Sequence, residues 1–190
     1  MILDNTAKII ASEGISNLSM EQISRNAGIS KSLMYKYFDS LTDLLKELLK
    51  RELQQLRRLQ ASAAENARTF EELVRNITHE YLSYIDERGL IIERLQSEPS
   101  VSNMHDPTDY GRKAAVDYLA SIVSKHFDMP MHIARAATDI SFGLPASAGE
   151  YLLREKVDRD ELEDLTVSMI IGSCTAARND YLTRQRELKR

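Results

Sequence analysis

Residues 19–43 constrain this chain more than any other stretch, and at their centre runs Ala27-Gly28-Ile29-Ser30-Lys31-Ser32-Leu33-Met34-Tyr35-Lys36-Tyr37-Phe38. Gly28 can take a left-handed backbone conformation without steric cost, so it can end a helix that carries Ile23 and Ala27. Ser30 is then placed to cap the next helix. Two short helices meeting at a steep angle are the consequence, the turn and second helix of a helix-turn-helix. Ile23, Ala27, Ile29, Met34 and Phe38 fall at spacings that bring them into one small core, while Lys31, Ser32, Leu33, Tyr35, Lys36 and Tyr37 stay outside. From Gln22 to Phe38 the only charges are Arg25, Lys31 and Lys36, with no acid between them. At about 1.5 Å rise per residue the second helix is about 10 Å long, enough to read roughly three to five base pairs in a major groove. Its lysines suit phosphates or guanine edges, and its phenols suit the phosphate backbone.

The rest of the chain sets the class. Its 190 residues are 43% hydrophobic with only 7 Gly and 4 Pro, so a buried core is expected and an all-α architecture is the natural reading. The formal charge of -4 argues against a nonspecific nucleic-acid coat but leaves room for a locally basic face. One cysteine, Cys174, cannot form an internal disulfide, which fits a reducing cytoplasm. Residues 1–10 lack the pattern of a signal peptide, and no apolar run approaches the roughly 20 residues that span a bilayer.

A longer run of residues extends the reading head. Glu13-Gly14, residues 18–31 from Leu18-Ser19-Met20-Glu21-Gln22 to Ser30-Lys31, then Met34-Tyr35-Lys36-Tyr37-Phe38-Asp39-Ser40 and Asp43-Leu44-Leu45, together resemble the amino-terminal signature of the tetracycline-repressor (TetR) family. The match covers about the first quarter of the chain. The resemblance implies a helix-turn-helix DNA-binding domain over residues 1–45 and a helical effector-binding and dimerisation domain over 46–190, about nine helices in all. It further implies a homodimer on double-stranded operator DNA, most simply a repressor released by a small organic ligand. Lys31, Ser32, Leu33, Tyr35, Lys36 and Tyr37 would then face DNA, with Ser19, Arg25 and Ser30 near phosphates. The chain departs from the family pattern in three places. It begins directly with Met1-Ile2-Leu3-Asp4 where a basic arm is common, it has Ser32-Leu33 where Gly then Thr or Ser is common, and it has Leu41 where a lysine is common. A regulator in which ligand promotes DNA binding, and a helical protein-interaction adaptor, are the alternatives.

Along the chain, helices are expected over residues 2–13, with Leu3, Ala7, Ile10 and Ala11 on one face, then 20–27 and 31–37. Ser40 with Asp43 opens a long helix of leucines that connects head to body. Thr69 with Glu72 is a capping-box pattern for a helix ending at Gly89, followed by a short helix over 90–96. Residues 97–107, with two prolines, read as a loop, either a surface connection or a gate. Helices over 108–128, over 131–156 with a bend near Gly143 and Pro145, and over 159–190 complete the expectation.

Two further patterns point to partners. His79, Tyr81, Tyr84, Tyr110 and Tyr118 lie on otherwise apolar helices and are candidates for the lining of a ligand cavity, the alternative being amphipathic residues with their polar tips in water. Phe142, Ala146, Leu165, Met169, Gly172, Ser173 and Ala176 combine large apolar with small residues, as either a two-fold helical interface or an intramolecular core requires. Catalytic and metal chemistry is not expected. His79, His105, His126 and His132 have no ligand spacing, and no phosphate loop or nucleophile elbow occurs, so neither cofactor nor metal is implied.

Overall fold

Gly14 and Gly28, with positive φ (81° and 66°), punctuate the start of the chain as their sequence positions require. The computed structural model describes residues 1–102 and 109–187, the side chains of residues 109–111 excepted. The described residues form ten helices: α1 Ile2–Glu13, α2 Met20–Asn26, α3 Lys31–Tyr37, α4 Leu41–Glu65, α5 Phe70–Gln96, α6 Pro99–Ser102, α7 Asp109–Phe127, α8 Met131–Ser141, α9 Gly143–Arg154 and α10 Arg159–Glu187. No strand occurs among them.

Two compact units divide the chain, one of Met1–Gln55 and Glu87–Pro107, the other of Leu56–Asp86 and Thr108–Arg190. The long helices α4 and α5 each supply residues to both.

The first unit is built on leucine and isoleucine at helical spacing. Ala7, Ile9 and Ile10 of α1, Ile23 of α2, Met34 of α3, and Leu44, Leu45, Leu48 and Leu49 of α4 are all buried, as are Ile91, Ile92 and Leu95 of α5. On α1 the buried face is Thr6, Ala7, Ile9 and Ile10; Ala11, expected inside, is exposed. The buried stripe is therefore rotated by one position, and Thr6 enters it because its hydroxyl returns a hydrogen bond to the Ile2 carbonyl at 3.0 Å. Glu52, also buried, accepts two hydrogen bonds from Arg88 of α5, both at 2.8 Å, and one from Arg51.

The second unit packs around Phe70, Val74, Val123, Ala134, Val167 and Cys174, contributed by α5, α7, α8 and α10, with Met129 from the turn between α7 and α8. Apolar side chains from four helices removed from water together are its main source of stability. Gly149 of α9 lets that helix approach α5 closely: a Cβ there would lie 3.0 Å from the Tyr81 ring and 3.3 Å from Ile85.

Three sequence expectations are corrected. The α5 helix does not stop at Gly89 but runs on to Gln96, so the short helix expected after it is its continuation. A helical glycine costs about 1 kcal/mol, and the flanking run of leucine, isoleucine, glutamate and arginine outweighs it. The helix expected over 131–156 is two, parted at Phe142, and Pro145 sits in the first turn of α9, where its missing N–H leaves no bond unmade. The loop expected over 97–107 is in part helical, with the short α6 following residues 97–98; residues 103–107 lie outside the described residues.

Candidate nucleic-acid interface

Ser19 and Ser30 start α2 and α3, and Gly14 and Gly28 follow the ends of α1 and α2. Ser19 accepts a hydrogen bond from the Gln22 amide at 3.2 Å and so caps α2. At the other end of α2, Gly28 N–H donates to the Arg25 carbonyl and Ile29 N–H to the Ser24 carbonyl, at 3.1 and 3.0 Å. This pair of bonds is a Schellman motif, and it needs the left-handed conformation that Gly28 supplies. Ser30 then caps α3 by accepting from the Leu33 amide at 3.2 Å. The turn is thereby fixed by backbone geometry on both sides, and the direction of α3 follows.

Packing decides which face of α3 is left for a ligand. Met34 is the one α3 residue that is fully buried, while Ala27, Ile29 and Phe38 are half-buried around Ile23 and Met34. Lys31, Ser32, Leu33, Tyr35, Lys36 and Tyr37 are all exposed, as are Arg25 and Ser30; Ser19 is half-buried. Tyr37 leaves 65% of its surface in solvent and Leu33 39%. Gln22 steadies the opposite side by donating from its side-chain amide to the Glu13 carboxylate at 2.8 Å, joining α2 to the end of α1.

One residue of this face escaped the sequence reading. Glu21, the acid just outside the acid-free window, pairs with Lys31: Nζ lies 2.5 Å from Oε1, and the same Nζ stands 5.9 Å from the centre of the Tyr35 ring. The hydrogen bond to Lys31 holds the Glu21 carboxyl below its ordinary pKa, and Glu21 raises that of Lys31 in turn. Ten positions separate the two in sequence, and only the turn at Gly28 brings them together. Arg25 and Lys36 form no ion pair among the described residues.

The other candidate residues are dispersed over the second unit. Tyr81 is largely buried against Gly149, and desolvation, with a lesser contribution from the nearby Glu150 charge, pushes its phenol up to about 12. Tyr84 is buried. His79 is half-exposed and engaged by the buried Glu163 at 2.8 Å, which Arg75 also approaches, at 3.7 Å. Tyr118 is 53% exposed, and the Tyr110 side chain lies outside the described residues. On the last helices, Leu165, Met169, Gly172, Ser173, Ala176 and Ala146 are exposed, with Ser173 Oγ 2.8 Å from Ser141 Oγ. Phe142 is half-buried beneath the Arg112 guanidinium, 5.1 Å from its ring centre. No group of three metal-ligating side chains gathers among the described residues, and none of their helices is long and apolar enough to cross a membrane.

Residues 19–38 thus form a capped helix-turn-helix whose second helix is exposed, cationic and aromatic. Residues 2–48 match the family model described as bacterial regulatory proteins, tetR family. The fold recurs at low identity in solved structures. A protein from Pseudomonas aeruginosa PAO1 described as a transcriptional regulator superposes with a TM-score of 0.77 at 15% identity, over 94% of this chain and 91% of that one. A TetR-family transcriptional regulator from Streptomyces coelicolor does so with a TM-score of 0.68 at 14% identity, over 93% and 94%. The fatty acid degradation regulator FadR from Bacillus halodurans does so with a TM-score of 0.68 at 15% identity, over 89% and 92%. No curated protein sequence matches. The chain thus carries a tetR-family amino-terminal region on the fold of that family's transcriptional regulators.

Proposed function

We propose that this protein is a cytoplasmic, homodimeric, sequence-specific repressor that a small organic ligand releases from its operator. The observation that carries the reading is the outer face of α3, where six of seven side chains are exposed and two of them are lysines, two tyrosines and one leucine. Lys36 and Tyr37 are assigned to the phosphates and base edges of a half-site, Leu33 to a thymine methyl, and Arg25, Ser19 and Ser30 to the backbone.

A recognition helix of seven residues is too short to select an operator alone, so the function requires two copies. Gly172 supports an interface on the last helices. It sits exposed within α10, where a Cβ would meet nothing within 4 Å, and no packing inside the chain explains a glycine there. Leu165 and Met169, each at least half exposed, lie two turns and one turn before it. Close approach of a second α10 accounts for the small and the large residues alike.

The α4 and α5 helices run from one unit into the other, and they are the routes by which a ligand held by the second unit would act on the first. Dimeric readers need recognition helices about 34 Å apart, so a small displacement loses contacts on both half-sites. Ligand and operator then weaken one another's binding by the same factor. The experiment that tests the reading is a gel shift of the purified protein on the DNA upstream of its own coding region, with scrambled DNA as competitor. A shift that scrambled DNA does not compete away supports it, and equal competition by both contradicts it.

A further inference from the structure

We propose that Glu21 is a built-in counter-ion that withholds Lys31 from DNA phosphates, damping affinity for DNA of any sequence so that base contacts by the rest of α3 decide where the protein binds. The inference rests on the DNA-binding reading above and adds to it a specificity-determining residue that makes no favourable contact with DNA itself.

The pair is an unusual one to find on such a face. Lys31 opens α3 and Glu21 lies in the first turn of α2, and their charged groups meet at 2.5 Å with 61% and 48% of the side chains in solvent. Exposed pairs of this kind contribute little to folding, so stability does not explain why a carboxylate stands beside the reading helix. Its effect on the reading face is larger. Three cations, Arg25, Lys31 and Lys36, are offset there by one acid, and the Tyr35 ring beside Lys31 Nζ narrows the space in which the ammonium can move. For Lys31 to neutralise a phosphate it must leave Glu21, and the released carboxylate would then face a polyanion. Lys31 is therefore a poor phosphate ligand while Glu21 is present.

Counter-ion release makes the consequence measurable. Each phosphate neutralised by a cation contributes about 0.9 to the slope of log K against log salt concentration. Freeing Lys31 in both heads of a dimer should steepen that slope by about 2 and tighten binding to unrelated DNA by on the order of tenfold per head near 0.1 M salt. Binding to the specific site should tighten by less, because base contacts fixed by Lys36, Tyr37 and Leu33 are already made.

The test compares the full-length parent, Glu21→Gln, Lys31→Gln and the double variant on two duplexes, one from the protein's own upstream region and one scrambled, across about 50 to 200 mM salt. The expected result is that Glu21→Gln binds the scrambled duplex more tightly with a steeper slope, and that the gain disappears when Lys31→Gln is added. An unchanged slope in Glu21→Gln overturns the proposal, as does weaker binding, which would make Glu21 a positioning group for Lys31. A gain that survives in the Lys31→Gln background also overturns it, since simple repulsion between carboxylate and phosphate would then be the cause. Unaltered melting temperatures show that the variants are folded. A parent that selects its upstream duplex while Glu21→Gln matches it in every respect leaves the DNA-binding reading standing and removes this inference alone.

Discussion

Arg94 of α5 donates from its guanidinium to the carbonyl of Ile10, in the last turn of α1, and at 3.1 Å to that of Ala11. The Ile10 carbonyl already accepts the Gly14 N–H at 3.1 Å, so Arg94 adds a second bond there besides the one to Ala11, and a cation at this end also meets the negative end of the helix dipole. One side chain thus ties the end of α5 to the helix that braces the reading head.

Replacing Arg94 by Ala removes both bonds and should destabilise the first unit by about 1 to 3 kcal/mol. Denaturant unfolding measures the loss, and amide exchange in α1 should rise more than in α8 to α10. A uniform rise across the chain would show that Arg94 does not act on α1 locally.

Arg88 and Glu52 form the buried ion pair of the same unit. Glu52 is 2% exposed and takes a two-pronged guanidinium fork from Arg88. Truncating one partner of a buried pair typically costs about 3 to 5 kcal/mol because a charge is left desolvated. Arg51 remains bonded to Glu52, so Arg88→Ala is expected at the lower end of that range. Thermal unfolding checks it, and a loss below about 1 kcal/mol would place Glu52 in water in solution.

Gly172 and Ala176 offer paired tests of the dimer. Gly172→Ala meets nothing inside the chain and should raise the helical stability of α10 by up to about 1 kcal/mol. Ala176→Arg sets a long cation one turn further along the same exposed face and should give monomers by analytical ultracentrifugation, with weakened DNA binding. If Ala176→Arg remains dimeric, the two-fold contact lies on another face.

The reading head was legible in the sequence because its determinants are local. Ser19, Gly28 and Ser30 act on amides or carbonyls within five residues of themselves, and their sequence spacing is their geometry. Met34 falls inside and Tyr37 outside for the same reason, a helical period read over one turn. The Glu21–Lys31 pair was not legible, since it forms across a turn between helices whose angle no periodicity specifies. Gly89 misled for a related reason: a glycine ends a helix only where the chain must turn, and here α5 continues through it. The tyrosines of the second unit were the least legible, because a helical stripe says that a residue is amphipathic but not whether it is packed against a neighbouring helix, as Tyr81 is against Gly149, or turned to solvent, as Tyr118 is.

The central claim is that the outer face of α3 reads DNA, and Lys36 and Tyr37 test it most directly, since both are exposed and neither supports the fold. The measurement is the affinity of Lys36→Ala and Tyr37→Ala for the upstream duplex that the parent selects, at fixed salt, by fluorescence anisotropy. Each variant should lose about 1 to 3 kcal/mol of binding while melting at the parent's temperature. If both bind that duplex with the parent's affinity, the face formed by Lys31 to Tyr37 is not the one that reads DNA.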